Sequence, residues 1–224
     1  MCGRYAFFSP AEAVKRVFGV DAIPLLEPRY NVAPTQAVPV VREREPGQRE
    51  VALLHWGLVP SWAKEKAIGN RMINARAETL AEKPAYRRAF RDRRCLVLAD
   101  GWYEWQATGS GKRPWFICGR DHQPLGLAGL WESWRDPGSG ELLESCTIVT
   151  RDAPGRLGEI HHRMPAVVPA AGRDAWLDPG QRDAAPLSHW LGGAQEADFE
   201  AWPVSRAVND PRHDGPELVE PERD

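Results

Sequence analysis

Two things are missing from this chain: long apolar runs, and cysteines paired at metal-binding spacing. No stretch approaches the ~20 consecutive apolar residues that a membrane helix needs, so no membrane span is expected. The start carries no basic segment followed by an apolar one, so no secretory signal is read there and a soluble, cytoplasmic protein is expected. The four cysteines, Cys2, Cys95, Cys118 and Cys146, form no C-x-x-C pair, and no histidines stand at zinc-finger spacing. That argues against a structural metal site, and no metal or other cofactor is expected. Cys95, Cys118 and Cys146 lie in apolar, strand-like runs, where free cysteine acts as a small hydrophobe. Cys2, next to the initiator Met, does not. Internal repeats and long linkers are also absent, so a single domain over 1–224 is expected, ending in a polar, extended tail at 210–224.

What is present suits a folded core. Hydrophobic residues make up 42% and charged residues 27% of 224 positions, which excludes disordered and fibrous classes. The net charge of −2 argues against indiscriminate coating of nucleic acid, yet it hides an asymmetry. Residues 61–120 hold 13 Lys/Arg against 6 Asp/Glu, and residues 183–224 hold 3 against 10. The basic residues are mostly Arg, which suits bidentate phosphate contacts, although such clusters serve equally as solvated, salt-bridged faces.

Gly and Pro, 20 each, punctuate many short segments. Ser9-Pro10-Ala11-Glu12 has capping-box spacing and predicts a helix over 10–18. Strands are predicted at 37–42 and 50–56 around a Pro46-Gly47 turn, and a short helix within 81–90 from Pro84. Alternating residues then predict strands at 95–99, 101–106, 114–119, 126–134 and 143–150, with hairpin turns at 108–111 and 136–140. Helical stretches follow near 172–177 and 185–191, with a late strand near 199–205. Consecutive strands without long intervening helices favour an α+β fold: a mainly antiparallel, barrel-like sheet with flanking short helices.

Four segments can carry chemistry. Removal of Met1 before the small Cys2 would leave a thiol and a free α-amine on adjacent carbons. The amine's reference pKa of ~7.7–8.0 leaves a reactive fraction at neutral pH. It could form a Schiff base with an aldehyde, which the thiol then closes to a thiazolidine; alternatively the thiol could attack an amide with the amine as base. Asn74, in an apolar-flanked run, could hold a carbonyl or hydroxyl, or simply sit at a strand-to-helix junction where Arg76 pairs with Glu78. Glu104 lies between Tyr103 and Trp105. Lost hydration there would raise its pKa and make it a proton donor near pH 7, unless it faces solvent. His161 and His162 are adjacent, so in a strand at most one faces a given site. Trp56 and Trp62 precede the Arg-rich segment; exposed, such rings stack on single-stranded bases, and buried, they fill a core.

These segments occur in order: Met-Cys-Gly-Arg at 1–4, Arg-Tyr-Asn-Val-Ala-Pro-Thr-Gln at 29–36 and Trp-Gly-Leu-Val-Pro-Ser-Trp at 56–62. Then come Asn-Ala-Arg-Ala-Glu-Thr at 74–79, Gly-Trp-Tyr-Glu-Trp at 101–105, Ile-His-His-Arg-Met-Pro at 160–165 and Val-Ser-Arg-Ala-Val-Asn at 204–209. Together they resemble the SOS response-associated peptidase (SRAP) family. The resemblance implies one compact SRAP domain, a monomer, whose partner is single-stranded DNA containing abasic sites. It implies that Cys2 crosslinks to the abasic aldehyde, with Asn74 as orienting amide, Glu104 as acid/base carboxylate and His161 as active-site histidine. Arg4, Arg76 and Arg163 fall where family members contact phosphates, and Trp62 completes the DNA-binding set. The role of His161, in imine formation, strand cleavage or crosslink reversal, stays open. Two other classes also fit parts of the sequence: an N-terminal-nucleophile Cys hydrolase, including a self-processing peptidase, and a noncatalytic reader of single-stranded DNA.

Overall fold

The computed structural model describes residues 2–109 and 111–222; Met1, Ser110, Arg223 and Asp224 lie outside them, and with them the centre of the 108–111 turn. Twelve strands are described: β1 (Tyr5–Phe7), β2 (Arg29–Val32), β3 (Ala37–Glu43), β4 (Arg49–Trp56), β5 (Asn74–Arg76), β6 (Arg94–Ala99), β7 (Gly101–Thr108), β8 (Gly111–Gly119), β9 (Leu125–Arg135), β10 (Leu142–Asp152), β11 (Arg163–Pro165) and β12 (Phe199–Pro203). The α-helices are short: α1 (Ala11–Phe18), α2 (Arg87–Asp92), α3 (Gly155–Ile160), α4 (Arg173–Leu177) and α5 (Ala184–Leu191).

Strands β10, β4, β3, β6 and β9 pair in that order, and β9 returns to pair with β10, closing a five-stranded barrel. All its pairings are antiparallel except β4 with β10, joined at Ser145↔His55 and Cys146↔Trp56. β5 also runs parallel to β10, setting Asn74 beside Ile148. Parallel neighbours need a long crossover, here the chain between β4 and β10, and that pairing is invisible to local periodicity. The fully buried cluster includes Val38, Val40, Leu54, Trp56, Val97, Leu127, Leu130, Cys146 and Ile148.

A second sheet, ordered β12-β8-β7-β1-β2 and antiparallel throughout, packs against the barrel. Strand alternation divides its two faces. Tyr5, Trp102 and Ile117 join the main core, whereas Ala6, Tyr103, Phe116 and Cys118 form a second cluster with Val204, Val208 and Leu218. At the start of β7, a Cβ on Gly101 would overlap the Phe116 ring, so the close crossing with β8 requires glycine.

The fold class and the run of strands from 94 to 152 match expectation to within a few residues. Two segments differ. The helix expected from Pro84 begins at Arg87, after turns at 81–86. The segment 210–224, expected to extend over the surface, is docked up to Glu222. Asp214 accepts from the backbone N–H groups of Tyr30 and Asn31 and pairs with Arg29; Leu218 is fully buried, and the Glu222 N–H reaches Pro203 O at 2.8 Å. One apolar residue on a 3-10 turn (Pro216–Val219) anchors a segment whose composition is otherwise polar.

Candidate active site

The N-terminal segment enters the site along β7. Tyr5 pairs with Trp102, and the Tyr103 N–H donates to Arg4 O at 3.0 Å, so the register carries residues 2–3 alongside Glu104 and Trp105. Cys2 is fully buried. Asn74, at the start of β5, donates from Nδ2 to the Cys2 carbonyl at 2.8 Å, and the Tyr86 hydroxyl donates to Asn74 O at 3.3 Å. The Asn74 Oδ1 is buried and accepts no hydrogen bond from the described residues. Tyr86 was missed in the sequence, where it reads as one aromatic in a helix.

Glu104 is 3% exposed, and desolvation pushes its carboxyl up to about 7. Of the two sequence readings of Glu104, burial between aromatic neighbours is the one found. Burial, reinforced by the negative charge of Glu104, pushes the Cys2 thiol far above its ordinary value. The thiol is therefore protonated across the neutral range.

His161 leaves α3 and precedes β11, and its Nδ1 lies 3.7 Å from Glu104 Oε2. The same Nδ1 is 3.0 Å from both the amide N–H and the carbonyl of Arg163. A bare Nδ1 accepts from that N–H and a protonated one donates to that carbonyl, so both protonation states are accommodated. Desolvation lowers its pKa, which favours the neutral ring at pH 7. His162 stacks on it at 4.5 Å between ring centroids.

The four basic and aromatic candidates occupy different settings. Arg76 and Trp62 are exposed, Trp62 at 62% beside Lys64 and Arg71 along one groove. Trp56, by contrast, is fully buried and donates to Ile73 O at 2.9 Å. Arg4 is half-buried: its Nη1 donates to Asn31 Oδ1 and Val208 O, both at 2.8 Å, and its guanidinium lies 6.0 Å from the Trp105 ring. Arg163 is 5% exposed and clamped by Glu78 (2.7 and 3.0 Å), Asp152 (2.7 Å) and Thr150 O (2.6 Å). Glu78 thus pairs with Arg163 rather than with Arg76, and Arg163 joins β10, β11 and the turn after β5. A smaller part of the basic middle is likewise internal: Arg94, 2% exposed, donates to five backbone carbonyls, and Arg93 pairs with Glu132. Ten of the thirteen Lys/Arg at 61–120 are exposed, among them Lys64, Lys66, Arg71, Arg76, Arg87 and Arg88.

The motif at 29–36 had no assigned role in the sequence. Asn31, fully buried, supplies its Oδ1 to Arg4 and donates to the carbonyls of Val208, Asp210 and His213. It ties β2, the residues after β12 and Arg4 into one support beneath the N-terminal segment.

Comparison with known proteins agrees with this arrangement. The family described as SOS response associated peptidase (SRAP) matches residues 1–211. The abasic site processing protein YoqW of Bacillus subtilis is 38% identical over 98% of this chain and 99% of its own length. The abasic site processing protein YedK of Escherichia coli is 33% identical over 99% of this chain and all of its own. A crystal structure of a protein from Bacteroides thetaiotaomicron superposes with a TM-score of 0.89 at 26% identity, covering 99% of this chain and 100% of that one. With a family match spanning nearly its whole length and relatives of the same length above 30% identity, the chain belongs to the SOS response associated peptidase family.

Proposed function

We propose that this protein processes abasic sites by capturing them covalently in single-stranded DNA, through the α-amine and thiol of Cys2 after Met1 is removed. Relatives named as abasic site processing proteins support the substrate. The observation that carries the chemistry is the pairing of a buried Cys2, its thiol kept protonated, with a Glu104 carboxyl whose pKa stands near 7.

The amine attacks C1′ of the ring-opened sugar, giving a carbinolamine. Protonated Glu104 gives its proton to the departing hydroxyl, which leaves as water, and the imine forms. Proton transfer is efficient because the carboxyl titrates near the working pH. The thiol then adds to the imine carbon: the new bond is S–C1′, and the thiol proton passes by way of the Glu104 carboxylate to nitrogen. The net change is loss of one water. Asn74 holds the Cys2 carbonyl and so fixes the nucleophile's orientation, with its free Oδ1 available to the amine. His161, 3.7 Å from Glu104, is the nearest neutral base to take up or return the carboxyl's proton.

Arg76 and the Trp62 groove are the exposed features suited to a phosphate and a stacked base. The Arg163 backbone orients His161, while its guanidinium holds Glu78, Asp152 and Thr150 together. The test is an abasic oligonucleotide incubated with processed protein. A heat-stable adduct requiring Cys2 is expected, and slower formation in Asn74→Ala and Glu104→Gln.

A further inference from the structure

Three metal-binding donor types meet on the outer face of the second sheet. Cys118 on β8 and Glu200 on β12 stand directly opposite each other in the antiparallel register, and His122 follows in the turn after β8. One donor atom from each lies within 4.8 Å of the others. His122 Nε2 is 3.1 Å from Glu200 Oε1, and Cys118 Sγ is 3.8 Å from the same oxygen. A tetrahedral ion with M–S of ~2.3 Å and M–N or M–O of ~2.0 Å spaces its ligands by roughly 3.3–3.6 Å. Both carboxylate distances are already close to that range, and the exposed His122 ring can close the third.

The turn is built to hold this histidine. His122 has φ of +50°, a left-handed conformation uncommon for a residue with a Cβ, so its surroundings impose it. The His122 N–H donates to Gly119 O at 3.0 Å, Arg120 N–H to Asp198 O at 3.0 Å and Gln123 N–H to Asp121 Oδ1 at 3.1 Å. The surroundings are negatively charged: Glu200, Asp100 and Asp121 all act on Cys118. Negatively charged surroundings favour a bound dication.

We propose that Cys118, His122 and Glu200 form a divalent transition-metal site, with Zn²⁺ the ion that their thiolate, imidazole and carboxylate suit best and the fourth position open to water. Binding exchanges a proton for the metal: the Cys118 S–H breaks, an S–Zn bond forms, and the proton leaves to solvent. The site lies on the face of Tyr103 and Phe116, whereas Trp102 and Ile117 face the barrel, so it is separate from Cys2 and Glu104. Its ligands bridge β8, the following turn and β12, so the metal fastens an edge of the second sheet.

The experiment titrates Co²⁺ into chelator-stripped full-length protein and follows the thiolate-to-cobalt charge-transfer band, then displaces it with Zn²⁺. The expected result is one equivalent bound, with the band kept in Cys2→Ala and binding at least about tenfold weaker in Cys118→Ser and His122→Ala. His122 is exposed, so His122→Ala reports on ligation even if Cys118→Ser folds poorly. Zn²⁺ at a hundredfold excess over its Kd should raise the melting midpoint by about 5 °C or more in the wild type and not in His122→Ala. Absence of a thiolate band, or a band that survives Cys118→Ser and disappears in Cys2→Ala, overturns the proposal. Crosslinking by His122→Ala should equal wild type.

Discussion

At the scale of single residues, Glu104 links stability to chemistry. Its folded pKa of about 7 lies above the ordinary 4.5. Below pH ~4.5 both folded and unfolded chains hold the proton; between there and ~7 the unfolded chain loses it first, so stability falls as pH rises through that window. Glu104→Gln should therefore be more stable than wild type at pH 8, by on the order of 2–3 kcal/mol, and equal to it near pH 4. Denaturant titrations at the two pH values check this, and the stabilised variant should crosslink more slowly, the usual cost of a strained site. Arg163 gives a second separation. If its contacts to Glu78, Asp152 and Thr150 are its main task, Arg163→Ala loses about 2–3 kcal/mol of stability. A variant of wild-type stability with weakened DNA binding would return it to the phosphate-contacting set. The sequence exposed Glu104 well, because flanking aromatics announce desolvation. It could not show that Arg163 is consumed, since Glu78 lies 85 residues away.

Among elements, the alternation of β6 to β10 was legible because each half-buried strand writes its own period-2 pattern. β1, β5 and β11, three residues each, are too short to write one. Yet they carry the site: β1 leads Cys2 along β7, β5 presents Asn74, and β11 follows His161. Motif order found these residues where periodicity could not. The parallel β4–β10 pairing was equally hidden, because it joins positions about 90 residues apart. The docked end of the chain has its own test. Leu218→Ala, removing a fully buried side chain, should cost about 2–4 kcal/mol and loosen the Asp214 contacts to β2. Hydrogen exchange at Tyr30 and Asn31 should rise with it. Unchanged protection there would mean that the segment contributes little to holding β2.

For the molecule as a whole, a net charge of −2 with exposed Lys and Arg concentrated between residues 61 and 120 suits a protein whose lasting attachment is a covalent bond. Reversible binding should weaken steeply with salt as counterions return to the DNA, while a formed adduct should ignore salt. Trp62→Ala should lower affinity for an undamaged single strand by roughly five- to a hundredfold, the range for one stacked base, measured by fluorescence anisotropy at fixed ionic strength. Among the described residues no helix is long and apolar enough to cross a membrane.

The most direct measurement mixes processed protein, its Met1 removal verified by intact mass, with a single-stranded oligonucleotide bearing one abasic site, followed by denaturing electrophoresis and mass of the product. The account predicts an adduct of protein plus oligonucleotide minus one water, stable to heat, absent with undamaged DNA and absent in Cys2→Ala. Processed wild-type protein that gives no adduct, or an adduct that persists in Cys2→Ala, would contradict it.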